Sequence, residues 1–236
     1  MTDAGLPGGL PGVGVTTPPD RTARLAGELS AVGLRPVPLP CVRIEPAPES
    51  ELATARAAAE AADLLVLTSA RAVELVWPDG TFPNTPVAAV GRATAAAVEA
   101  CGGRVYTVGD AGAAELAARI AARADGKTVA YPRADGADPA ALAALQAAGR
   151  LLTQVVYRAV PIAPDPDPVD AVTFTSPSAV QGWVASRSLF DQDVAVIGAT
   201  TAAALERHGR APTVMPSRPW YRDLAVALAE HLGTVS

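Results

Sequence analysis

Hydroxyl and glycine residues recur in this sequence at the points where helices should begin, and such points hold anions. Thr68-Ser69, Gly91 with Thr94, Thr175-Ser176, and Gly198 with Thr200 and Thr201 each follow a short apolar run and open an Ala-rich stretch. At the carboxyl end of a parallel strand the next helix points backbone N–H groups outward, and small residues let an anion approach them. One such contact is worth only about 0.3–1 kcal/mol, so several used together suit a ligand with many carboxylates or phosphates. Plain N-capping is the competing explanation at every one of these positions. Arg71, Arg92 and Arg133 follow expected strand ends and could make bidentate carboxylate contacts or simply stay solvated. Tyr157 lies in an extended segment and would face either a ligand cleft or a paired strand.

Other chemistries lack their residues. No Walker A loop is present, and no GxSxG elbow. His208 and His231 stand without an HxxxH or carboxylate pattern, so no metal site is expected. Cys41 and Cys101 lie far apart in the sequence, with neither a CxxC motif nor a neighbouring His. The basic residues are 18 Arg and one Lys, Lys127, without a basic tract in a chain of net charge −5. That balance and only 10 aromatic residues argue against a nucleic-acid partner. No apolar run reaches membrane-spanning length. Met1–Gly14 lacks the basic and apolar regions of a signal peptide and reads as a flexible tail. The expectation is a cytoplasmic, monomeric, cofactor-free binder of a polyanion.

The elements that must position these residues come from an internal repeat. LLVLTSARAVELV and AVTFTSPSAVQGWV align at one constant offset, which sets Thr68 on Thr175 and Ser69 on Ser176. The same offset carries VAAVGRATAAAVEACGG onto VAVIGATTAAALERHGR without a gap. Each copy alternates strand and helix: strands at 64–67, 87–90, 104–108 and 128–131, then at 171–174, 194–197 and 213–215. Helices are expected at 70–77, 92–101, 113–124 and 138–149, then at 178–185, 200–208 and 221–232. The second copy lacks a final strand and helix, which the N-terminus supplies at 13–16 and 20–32. The α/β chain should therefore form two similar lobes, each a parallel sheet flanked by helices in flavodoxin-like fashion. One lobe is discontinuous (1–35 plus 163–236), the other inserted (42–153), with 36–41 and 154–162 as paired hinge strands. A ligand cleft is expected where two such lobes meet.

With those residues in place, the sequence resembles the uroporphyrinogen-III synthase family over nearly its whole length. The matching blocks are TSARAV at 68–73, VGRATAAAV at 90–98, YPRADG from 131, VVYRAVP at 155–161, FTSPSAV at 174–180 and IGATTAAAL at 197–205. The resemblance implies the two-lobed fold. It also implies a cofactor-independent dehydration that closes linear hydroxymethylbilane into a ring while inverting its last pyrrole, ring D. The substrate carries eight carboxylates, so an acidic protein must hold it with local N–H groups and arginines. By the same resemblance, Thr68, Ser69 and Arg71 form one binding loop, Ser176 and Ser178 another, and Thr200 and Thr201 open the Gly-x-Thr-Thr helix start. Gly91, Arg92, Thr94, Arg133 and Gly198 remain candidate substrate-binding positions, and Tyr157 matches the tyrosine implied as proton donor. One residue departs from the pattern. Where the family has Val-Thr-Arg-Pro, this chain has Val15-Thr16-Thr17-Pro18, and Arg21 or Arg218 would have to replace the missing guanidinium. A non-catalytic relative, sensing a ligand in the same cleft, is the alternative reading.

Overall fold

The computed structural model describes residues 9–110 and 112–234. The first eight residues of the expected tail lie outside the described residues, while its last part is not loose: Gly12–Val15 is a fully buried strand, β1. From there the chain forms α1 (Pro19–Ala31), β2 (Arg35–Pro38), β3 (Val42–Pro46), α2 (Glu49–Ala61), β4 (Leu64–Leu67) and α3 (Ala70–Val76). Next come β5 (Val87–Val90), α4 (Arg92–Ala100), β6 (Val105–Gly109), α5 (Ala113–Ala124), β7 (Thr128–Ala134) and α6 (Pro139–Ala148). The chain closes with β8 (Arg150–Pro161), β9 (Ala171–Phe174), α7 (Pro177–Val184), β10 (Asp193–Val196), α8 (Ala199–Glu206) and α9 (Tyr221–His231). It divides into two units, one running to Ile44 and resuming at Val160, the other spanning Glu45–Ala159.

In the first unit β1, β2, β9 and β10 form a parallel sheet in the order β10-β9-β1-β2. Val13, Val15, Ala171 and Ala195 pack on one face against Leu25 and Leu29 of α1 and Leu224 and Leu228 of α9. On the alternate face Phe174 meets Trp183 of α7 edge-on, with ring centroids 5.8 Å apart, an arrangement worth about 0.5–1.5 kcal/mol beyond burial. Arg187 lies 4.5 Å over the Trp183 ring and donates to the Asp165 and Asp167 carbonyls, tying down the proline-rich loop before β9.

Segment 36–41, expected as a hinge strand, begins instead as part of this sheet. Arg35 and Leu39 donate to the Pro11 and Val15 carbonyls at 2.9 and 3.0 Å, so alternate residues of β2 face β1. Pro36 and Pro38 fill the intervening positions at the open edge, where a missing N–H costs nothing. The strand in which the chain passes between units is β3, and its neighbour in the six-stranded sheet is β8. The stretch at 213–215 is not a full strand either. Val214 makes a single bridge to Ala195, because Pro212 and Pro216 on either side can donate no ladder bonds.

The second unit carries the order β3-β8-β7-β4-β5-β6. Its central strands β4 and β5 read as continuous apolar runs because both faces are covered. Leu65 and Leu67 pack with α2, α3 and α4, whereas Leu64 and Val66 pack with α5 and α6. The register makes β7 the counterpart of β1: Leu64 pairs with Val129 as Ala171 pairs with Val13. Asp138 caps α6 by accepting from the Ala140 amide at 2.9 Å, as its place before Pro139 implies.

Cys41 is wholly buried, with its Sγ donating to the Leu39 carbonyl at 3.3 Å. Burial pushes its thiol from an ordinary 9.0 up to about 12, with the nearby Arg187 charge acting weakly the other way. The folded chain therefore keeps a proton that the unfolded chain loses between those two values. Stability should hold below pH 9 and fall above it, by up to about 1.4 kcal/mol per pH unit. Urea midpoints at pH 8 and 10.5 check this: Cys41→Ala should lower stability at pH 8 and flatten the slope. A slope unchanged in the variant would count against the thiol as its source.

Candidate functional site

β4 ends at Leu67 and runs on into Thr68 and Ser69, which continue the alternation of its side chains onto opposite faces of the sheet. Each meets a tyrosine belonging to its own face. Tyr131 of β7 packs among Leu64 and Val66, and its hydroxyl lies 3.3 Å from Thr68 Oγ1. Tyr157 of β8 packs against the other cluster and donates its hydroxyl to Ser69 Oγ at 3.1 Å. Two consecutive hydroxyl residues thus hold two phenols, one on each side of the strand end.

The repeat separates capping from another role. Ser176 opens α7 and accepts from the Ala179 amide at 3.3 Å. Ser69, its counterpart in the other copy, opens α3 without any side-chain capping bond. Ser176 thus caps its helix, whereas at Ser69 the hydroxyl oxygen accepts from the phenol of Tyr157 instead. Tyr157 is half-buried and lines a cavity of about 180 Å³ together with Glu45, Pro48, Glu51 and Arg158. That volume is below the roughly 300–1,000 Å³ of pockets for drug-sized ligands. It suits waters or one side arm of a ligand, not a tetrapyrrole.

The two helix-opening glycines also differ. Gly91 sits at φ +76°, ψ 153°, a region essentially closed to other residues. Gly198 is extended at φ 178°, and a Cβ there would find nothing nearer than Pro219 Cβ at 3.8 Å. Gly91→Ala should cost about 1–3 kcal/mol of stability, while Gly198→Ala should stay within about 0.5 kcal/mol. Denaturant midpoints decide it, and equal losses at both positions would contradict the difference in backbone. Any loss of activity in Gly198→Ala then reports on ligand approach and not on folding.

The remaining candidates sort by exposure. Thr94 and Thr201 are buried, at 4% and 3%, inside α4 and α8; their placement supports packing and not ligand contact. Arg92 and Thr200 are exposed in the first turns of those helices, and Arg71 and Ser178 are half-buried in the first turns of α3 and α7. Arg133 is tethered. Its Nε donates to Thr153 Oγ1 at 2.9 Å and its Nη1 to the Ala134 and Asp135 carbonyls at 3.0 Å, which fixes the loop leaving β7. At the N-terminal loop Thr17 is 1% exposed with its hydroxyl 3.2 Å from that of Thr22, so it offers no substitute for an arginine. Arg218 makes a two-pronged ion pair with Asp223 at 2.7 and 3.1 Å while lying 4.4 Å over Trp220.

Tyr131 is the residue that sequence reasoning missed. It reads as the last apolar position of a strand, and its chemistry emerges only from the register that sets it beside Thr68. Burial raises its phenol above the ordinary 10.0, opposed by the Thr68 hydrogen bond and the Arg133 charge. Among the described residues no group of three or more His, Cys, Asp or Glu side chains is placed to hold a metal ion. No helix among them is long and apolar enough to cross a membrane.

Residues 23–226 match the family model described as uroporphyrinogen-III synthase HemD. A curated protein of Methanothermobacter thermautotrophicus, which carries the provisional name uroporphyrinogen-III synthase, is 29% identical over 249 residues. That alignment covers 93% of this chain and 98% of the relative. Among solved structures, a mutant uroporphyrinogen III synthase of Thermus thermophilus superposes with a TM-score of 0.63 at 18% identity, covering 95% of this chain and 99% of its own. Uroporphyrinogen-III synthetase of Helicobacter pylori gives 0.63 at 17% identity, with 94% and 99% covered. At such identities the solved structures speak for the fold alone, a two-lobed α/β arrangement of parallel sheets. The family match spans most of the sequence and carries the conclusion: the chain belongs to the uroporphyrinogen-III synthase family.

Proposed function

We propose that the family's reaction, the dehydrative closure of hydroxymethylbilane to uroporphyrinogen III, runs in this chain at the end of β4, beside Tyr157 of β8, which acts as proton donor. The observation that carries this reading is the Ser69 hydroxyl, which leaves its helix uncapped and accepts from Tyr157 at 3.1 Å. In the free protein the phenol's one proton rests on Ser69 Oγ; on substrate binding the O–H turns from Ser69 to the departing hydroxyl and passes its proton there as the C–O bond breaks and water leaves. Loss of a proton from the pyrrole that then closes the ring returns the phenol to its starting state. The rest of the task is to hold one pose of a flexible chain, which is a problem of entropy and orientation.

Thr68, Ser69 and Arg71 in one unit, and Ser176, Ser178, Gly198 and Thr200 in the other, take the carboxylates. Arg92 and Arg133 add charge at the ends of β5 and β7, Arg133 mainly by holding its loop. Dehydration and rearrangement exchange no electrons, so the chain needs no cofactor for them, and the reading has it acting as a monomer in the cytoplasm. Calorimetric titration tests the polycarboxylate part: uroporphyrinogen III should bind at least tenfold more tightly than a porphyrinogen with half as many carboxylates. Equal affinities would count against recognition through the carboxylates.

A further inference from the structure

We propose that Tyr131 is a positioning residue for this reaction, turning the Thr68 hydroxyl so that its proton points to a substrate carboxylate. The proposal rests on the reading of Thr68 as a substrate-binding residue. Tyr131 is 2% exposed, and among the described residues the hydrogen-bond partner of its hydroxyl is Thr68 Oγ1 at 3.3 Å. A buried phenol must place its proton on an acceptor, since leaving it unmade costs the full desolvation of the group. A hydroxyl carries one donor and two lone pairs. Once Thr68 accepts from Tyr131, its own proton is directed elsewhere, and Thr68 is only half-buried at the head of the loop leading to α3.

Packing alone does not ask for a phenol at this place. The register pairs Ala130 with Leu65 as Gly14 pairs with Val172, so the next residue of each strand, Tyr131 and Val15, occupies the same place in the two sheets. Val15 is fully buried, and the first unit closes its sheet there with an apolar side chain. The second unit spends a buried hydroxyl at that position and also fixes its backbone: Thr153 Oγ1 accepts from Arg133 Nε at 2.9 Å and donates to the Tyr131 carbonyl at 3.3 Å.

A double-mutant cycle on the full chain tests this, reading KM and kcat for hydroxymethylbilane. Tyr131→Phe should raise KM about threefold to tenfold, the worth of one hydrogen bond, with kcat changed less than twofold. Thr68→Val should raise KM at least as much, and adding Tyr131→Phe to it should have no further effect. Thr68→Ser keeps the hydroxyl, so in that background Tyr131→Phe should again raise KM. Equal effects of Tyr131→Phe in the wild-type and Thr68→Val backgrounds, or an unchanged KM in the single variant, would overturn the proposal. If Tyr131→Phe does not fold, the Thr68→Ser and Thr68→Val pair still decides it: equal KM in the two, with no benefit from the hydroxyl, overturns it. A wild type that forms no type III isomer would instead remove the underlying reading of the function.

Discussion

Replacing Tyr157 with phenylalanine should lower kcat about a hundredfold and leave KM within about twofold, the lower end of what a positioned general acid contributes. The ring stays, so its packing against the cluster of Leu65, Val73 and Val156 is kept and the chain folds. What is lost is the hydroxyl that donates to Ser69 Oγ at 3.1 Å. Steady-state kinetics with hydroxymethylbilane give the answer, because a substrate-binding role would move KM while a proton-donating role moves kcat. Ser69→Ala should produce a smaller loss, since the phenol survives without its fixed direction. If Tyr157→Phe turns over at the wild-type rate, the proton comes from another group.

The second large effect is on stability, at Gly182 of α7. A Cβ built there would lie 2.2 Å from the Cys41 carbonyl oxygen and 2.5 Å from that of Ile162. Both are backbone atoms, and the Ile162 amide donates to the Cys41 carbonyl at 2.9 Å, so neither can rotate away. Alanine is ordinarily the better helix former by about 1 kcal/mol. Here the helix would have to lift from the two chain segments it rests on, at an overpacking cost of about 1–3 kcal/mol or more. Gly182→Ala should therefore show a net loss, read as a lower urea midpoint with the same m-value. A neutral or stabilised variant would mean that α7 shifts freely, contrary to its burial with Trp183 and Val180, both fully enclosed.

Much of this was legible before any coordinates. The constant offset between the two copies reappears in the starts of β4 and β9, of α3 and α7, and of α4 and α8. Periodicity and turn residues were enough for those elements, because each is a short apolar run closed by hydroxyls or glycine. α2 escaped notice: its Ala-rich Glu49–Ala61 stretch has a weak contrast between faces and opens without a capping side chain. Prolines at every second residue of 36–41 suggest a hinge strand paired with 154–162, whereas β2 is the edge strand beside β1 and accommodates them on its open side. At the site the limit was different in kind. Ser69 and Ser176 are the same letter at equivalent places, and only the hydrogen bonds show that one caps a helix while the other holds a phenol. Tyr131 could not be told from a core residue until the sheet register set it beside Thr68.

As a member of the uroporphyrinogen-III synthase family, this chain should close hydroxymethylbilane with inversion of ring D. The direct measurement is to supply hydroxymethylbilane, let it be consumed, oxidise the products and separate the isomers. The type III isomer should predominate and its share should rise with enzyme concentration. Only the type I isomer, the product of spontaneous closure, at every enzyme concentration would contradict it.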